Sequence, residues 1–116
     1  MHNYKKLKIW IDSIELVGFI YEKTLSFPKQ EIFALQSQIR RASVSIPSNI
    51  AEGAGRQTIL DFKQFLTIAY GSCNELETQL IIAKKLNYIE ENDLIDTQNK
   101  IQDIQKMIYS FKKSLK

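Results

Sequence analysis

The sequence predicts an all-α, antiparallel up-down-up-down four-helix bundle with helix 2 kinked near Pro47. Apolar residues recur at helical spacing along four long stretches, and no stretch alternates with the period of a strand. The breaks between stretches are short, and only four glycines and two prolines are available to make loops. Short connections between long helices make neighbours antiparallel.

Taken in order, helix 1 is expected over about residues 5–25. Leu7, Trp10, Ile11, Ile14, Val17, Tyr21 and Leu25 form one apolar stripe, and Ile9, Leu16 and Ile20 form a second on a different face. A helix apolar on two faces has two neighbours to satisfy, so Ile9, Leu16 and Ile20 are expected at a subunit interface. Ser26-Phe27-Pro28 breaks the helix. Pro28 suits a first helical turn, and Glu31 complements the positive end of helix 2, expected over about residues 29–54. Thr58 reads as an N-cap with Asp61 three residues later, opening helix 3 over about residues 59–86. Its inward row is Phe62, Leu66, Ala69, Cys73, Leu76, Leu80 and Ala83. Helix 4, about residues 91–115, carries Leu94, Ile101, Ile104, Ile108, Phe111 and Leu115 in near-heptad register. The whole of residues 1–116 reads as one domain.

The stretch from Gln38 to Arg56, QIRRASVSIPSNIAEGAGR, organises the rest. Ile39, Ala42, Ile46, Ile50 and Gly53 make an apolar face, and Ser45, Asn49, Glu52 and Arg56 make a polar row beside it. Pro47 removes the N–H that would bond the Ser43 carbonyl, and nearby serine hydroxyls are placed to compensate. Gly55 is expected to end the helix in the left-handed conformation. Folding helices 2 and 3 back about Gln57 places Arg40 or Arg41 near Glu75, and Glu52 near Lys63, as expected ion pairs. Ala69, Gly71 and Ser72 fall opposite Pro47, where small residues permit close approach.

SIPSNIAEGAGR followed by DFKQFLTIAYGSCNELETQL, with FPKQE at Phe27–Glu31, QIRRA at Gln38–Ala42 and LNYI at Leu86–Ile89, resembles the four-helix bundle family encoded by intervening sequences in bacterial 23S ribosomal RNA genes. The accessory variability protein of diversity-generating retroelements is similar to that family. The resemblance runs through nearly the whole chain. It implies a homo-oligomer, with a pentamer as its expected size, and a capacity to bind nucleic acid. Asn87 departs from the family's frequent Gly, but Asn also tolerates the left-handed conformation.

Several function classes lose their parts list. The single histidine, His2, sits at the terminus, where it is expected to fray, which makes it a poor base for a Ser or Cys nucleophile. No Glu-x-x-His pair exists for a metal bundle, and GAGR lacks the Lys-Ser/Thr of a phosphate loop. The sequence therefore implies no enzyme, no cofactor and no metal. The lone Cys73 excludes an internal disulfide, lies on an apolar row and suits a reducing cytoplasm. No segment approaches the ~20 apolar residues of a membrane span.

The balance of 16 Lys and Arg against 13 Asp and Glu leaves a net charge of +3, which permits an anionic partner without demanding one. Topology concentrates it. Lys5, Lys6, Lys8, Arg56, Lys63, Lys112, Lys113 and Lys116 share one end of the bundle, while Glu90, Glu91, Asp93 and Asp96 gather at the other with Lys84 and Lys85. The expected function is a non-catalytic oligomeric scaffold binding RNA or DNA through phosphate contacts at the basic end. The nearby aromatics are Tyr4, Trp10, Tyr109 and Phe111; Trp10 and Phe111 fit the core, and Tyr4 is taken as the one free candidate for base stacking, which argues against specific single-strand recognition. The alternative is a protein-interaction module with no nucleic-acid role. Arg41, Ser45, Pro47, Asn49, Glu52, Gly53, Gly55, Ser72 and Glu75 are expected to fix the packing of helices 2 and 3, with a ligand-contacting row as the alternative for Asn49, Glu52 and Arg56.

Overall fold

The computed structural model describes residues 2–116. Four helices carry the fold: α1 (Lys8–Lys23), α2 (Leu35–Ala54), α3 (Ile59–Lys85) and α4 (Glu91–Ser114). Short 3₁₀ turns at Tyr4–Lys6 and Lys29–Glu31 precede α1 and α2, and no strand occurs among the described residues. Each helix packs on its chain neighbours, and α1 closes on α4, with α2 and α3 sharing the most extensive contact. Hydrogen bonds and ion pairs fix the antiparallel register. Arg40 near the start of α2 reaches the Tyr21 carbonyl near the end of α1, at 3.2 Å. Lys23 at the end of α1 meets Asp93 at the start of α4, at 3.3 Å. The result is a rod of 45 × 24 × 20 Å.

The core follows the helical rows. Ile39, Ala42, Ile46 and Ile50 of α2 are buried, and so are all seven inward residues of α3. From α4, Leu94, Ile101, Ile104, Ile108 and Leu115 are buried, with Phe111 packed against them. Burial of this apolar area, at roughly 25 cal/mol per Å², supplies the drive for assembly of the four helices.

The expectation for α1 is overturned. Ile9, Leu16 and Ile20 lie in the protomer's own core, so they cannot form a subunit interface. Their row continues through two buried hydroxyl residues, Ser13 and Thr24. Ser13 donates to the Trp10 carbonyl at 2.8 Å and Thr24 to the Ile20 carbonyl at 2.8 Å. Each bond satisfies the hydroxyl on a carbonyl of α1, so both residues tolerate burial. Ile11, Ile14, Tyr21 and Leu25 are the residues left outward.

The helix starts also differ from expectation. Leu7 is extended between the first 3₁₀ turn and α1, so helix 1 begins later than residue 5. Helix 2 begins at Leu35, because the chain breaks at Ala34 (φ −122°, ψ −110°). Glu31 then caps the true start: its Oε1 accepts from the Leu35 amide at 3.2 Å, and its Oε2 accepts from the Tyr88 hydroxyl at 3.0 Å. That bond to a carboxylate is the main reason the Tyr88 phenol lies above its usual range.

Thr58 caps α3 as expected, its hydroxyl accepting from the Asp61 amide at 3.1 Å. Asn87 takes the left-handed conformation (φ 63°). The Tyr88 amide donates back to Ala83 and the Asn87 amide to Lys84, a Schellman ending for α3. Gly55 does not use its left-handed freedom: its φ is −87°.

Candidate nucleic-acid interface

The basic end is assembled by apolar contacts beneath it. The His2 ring packs 5.2 Å from Phe62 and 6.0 Å from Phe111, and these two phenylalanines lie 5.6 Å apart. The His2 amide also donates to the Ala54 carbonyl at 3.4 Å. These contacts tie the terminus, the end of α2, the start of α3 and the end of α4 together, so His2 is docked rather than frayed. Lys112 adds a direct link, its ammonium donating to the Thr67 hydroxyl of α3 at 2.7 Å.

Lys5, Lys6, Lys8, Lys63, Lys112 and Lys113 lie on the elements that meet here, Arg56 lies in the connection between α2 and α3, and Lys116 follows α4. Two are compensated: Lys8 pairs with Asp12 at 2.6 Å, and Arg56 with Glu52 at 3.6 Å while stacking 4.7 Å from the Phe65 ring. Among the described residues, Lys5, Lys6, Lys63, Lys112, Lys113 and Lys116 have no carboxylate partner. Lysine stems commonly cover apolar surface while the ammonium stays in water. Lys5 lies 6.0 Å from the Tyr4 ring and Lys113 lies 5.7 Å from Tyr109. At the opposite end, Asp93 and Glu91 are compensated by Lys23 and Lys84.

Tyr4 is not free for stacking. It is half-buried with its ring 5.3 Å from Trp10. The freely exposed aromatic on α4 is Tyr109 (60% exposed), which the terminal position alone did not separate from Phe111. Their two-residue separation is the missed signal, since it points them to different faces.

The organising stretch forms a polar seam between α2 and α3. The Ser45 and Ser72 hydroxyls share a hydrogen bond of 2.8 Å. The Asn49 amide donates to the Ser45 hydroxyl at 2.9 Å and to its carbonyl at 2.8 Å. Pro47 is buried in an unbroken α2, and the Ser43 hydroxyl turns back to the Arg40 carbonyl at 2.8 Å. Gly53 meets α3 so closely that a Cβ there would sit 2.7 Å from the Phe65 Cβ. Gly71 is exposed with open space around it, so it is not part of the seam.

The expected ion pairs do not form. Glu52 takes Arg56, one turn along its own helix, in place of Lys63. Among the described residues neither Arg40 nor Arg41 pairs with Glu75. Arg40 turns the other way, onto α1: its Nε donates to the Thr24 hydroxyl at 2.9 Å and its guanidinium lies 4.4 Å from the Tyr21 ring. Arg41 is exposed. Equal counting from a turn locates residues along a helix but not around it, and the guanidinium follows the free Thr24 and Tyr21 acceptors.

Burial raises the Cys73 thiol from 9.0 to about 12, so it is protonated and unreactive at neutral pH. No metal-holding group of three or more His, Cys, Asp or Glu occurs among the described residues. No helix among them is long and apolar enough to cross a membrane.

Residues 5–110 match the family described as 23S rRNA-intervening sequence protein. The structure is similar to a crystal structure of a protein with unknown function from the S23 ribosomal protein family of Bacteroides thetaiotaomicron. The TM-score is 0.81 at 28% identity, covering 91% of this chain and 99% of that one. No curated protein matches the chain.

Proposed function

The chain belongs to the 23S rRNA-intervening sequence protein family, and from that premise we propose that it is a non-catalytic, self-assembling helical scaffold that holds RNA or DNA by its phosphates. The observation that carries this reading is the set of cations at one end of the rod. Lys5, Lys6, Lys63, Lys112 and Lys113 lie on converging elements, Lys116 follows α4, and all of them lack carboxylate partners among the described residues. Unpaired lysines attract phosphate without reading base sequence. The family resemblance, which implies a homo-oligomer of expected pentameric size and a capacity to bind nucleic acid, supports the same reading. The outward residues Ile11, Ile14 and Tyr21 on α1 support self-assembly, since exposed apolar patches of this kind mark partner sites. A closed ring would bring the basic ends of the subunits onto one rim. A cytoplasmic setting fits the free thiol.

A second reading, a protein-assembly module with no nucleic-acid role, is favoured by the α1–α2 connection at the other end. Phe33 is 97% exposed there and Leu25 73%. A salt series separates the two. For phosphate binding, affinity for duplex DNA falls steeply with salt, and the double variant Lys112→Ala/Lys113→Ala lowers the log–log slope by about 1–2. No binding at low salt by an intact assembly sinks the nucleic-acid reading in favour of the second.

A further inference from the structure

We propose that the groove between α3 and α4 is a stacking platform for single-stranded nucleic acid, with Tyr70 and Tyr109 receiving the bases. The inference rests on the phosphate-binding reading above and assigns that site its substrate class. The groove has a volume of about 620 Å³ and is lined by Tyr70, Gln102, Gln105, Lys106, Tyr109 and Ser110. Both tyrosines are open to solvent, at 38% and 60%. Neither hydroxyl is hydrogen-bonded to another of the described residues. Gln105 fixes the floor by bridging the helices: its amide donates to the Asn74 Oδ1 at 2.8 Å and to the Tyr70 carbonyl at 3.4 Å.

Charge complements the aromatics. The lining includes Lys106 and no carboxylate. Lys113 lies 5.7 Å from the Tyr109 centroid, and Lys112 bonds Thr67 across the same pair of helices, toward the basic end. An aromatic ring beside an unpaired ammonium offers a base a π-face and its phosphate a cation. Unstacked bases reach such a ring, whereas bases within a duplex do not. Stacking is tolerant of sequence, so the platform selects strandedness rather than base identity.

The test compares three probes of equal length: a strand of roughly 12 thymidines, the same strand with abasic residues, and a duplex. Affinities are read by fluorescence anisotropy with assembly mass recorded in parallel. The thymidine strand binds more tightly than the abasic one. Tyr109→Ala weakens the thymidine strand about tenfold and leaves the abasic strand and duplex unchanged, while Tyr109→Phe retains binding. Equal affinity for thymidine and abasic strands overturns the platform while leaving the phosphate reading intact, provided lysine substitutions weaken all three probes. A change of assembly mass in Tyr109→Ala makes the groove a subunit contact and also overturns it. If no probe binds at low salt, both readings fall.

Discussion

Gly53 sets how closely α2 and α3 approach. An added Cβ would lie 2.7 Å from the Phe65 Cβ and 2.9 Å from the Phe62 Cδ1, and the Phe65 atom is too near its backbone to swing away. Gly53→Ala is therefore expected to destabilise by about 1–3 kcal/mol through overpacking, read as a lower urea midpoint. A gain in stability would mean that the helices separate freely. Cys73 makes a prediction in pH. Its thiol rises from 9.0 to about 12 on folding, so the folded state keeps a proton that the unfolded chain releases. Its contribution is fully present below pH 9.0 and is lost as pH climbs toward 12, at up to ~1.4 kcal/mol per unit. The stability difference between the parent protein and Cys73→Ala should be flat at neutral pH and narrow only in the alkaline range. A difference that stays flat there would show the thiol to be accessible.

At the scale of elements, the ends of helices decide more than their middles. The Thr58 cap is exposed, and its one role is to accept the Asp61 amide. Thr58→Ala should cost about 1 kcal/mol, with Thr58→Ser recovering most of it. Equal stability of all three proteins in chemical denaturation would remove the cap from the account. The start of α2 is held differently, by Glu31 from the preceding 3₁₀ turn, with Tyr88 as the second holder of that carboxylate. This explains why the helix begins at Leu35 although the helical pattern runs back to Lys29: the cap comes from the turn before it. At the C-cap of α1, Thr24 ties α1 to α2. It bonds the Ile20 carbonyl, accepts from Arg40, and its carbonyl accepts from Gln36 at 2.7 Å.

On the scale of the whole molecule, the rod is two-ended. Its 45 Å length separates the unpaired lysines from an end where Lys23 and Lys84 compensate acidic residues. A net charge of only +3 therefore understates the local field. Its side presents Ile11, Ile14 and Tyr21 on α1. Ile14→Asp tests whether that side is a subunit contact. In an isolated protomer a surface change of this kind falls within about 0.5 kcal/mol. In the proposed assembly it buries an unpaired charge, and light scattering should show the mass falling toward a single 13.5 kDa chain. An unchanged mass would move the interface elsewhere.

Periodicity and turn chemistry determined the helices, their order and nearly all of the core. The α3 row, the Thr58 cap and the left-handed Asn87 were legible because each depends on residues close in sequence. That the lysine-bearing segments share one end was legible too, since it follows from antiparallel order alone. Rotation about each helix axis was not. Helix α1 carries two apolar stripes, and packing against α2 and α4 chose Ile9, Leu16 and Ile20 for the core. The partner of Arg40, the pairing of Glu52 and the exposure of Tyr109 rather than Tyr4 were decided the same way. A sequence states which residues share a face; which face turns inward is a property of all four helices at once, because burying one stripe requires its neighbours to present complementary ones.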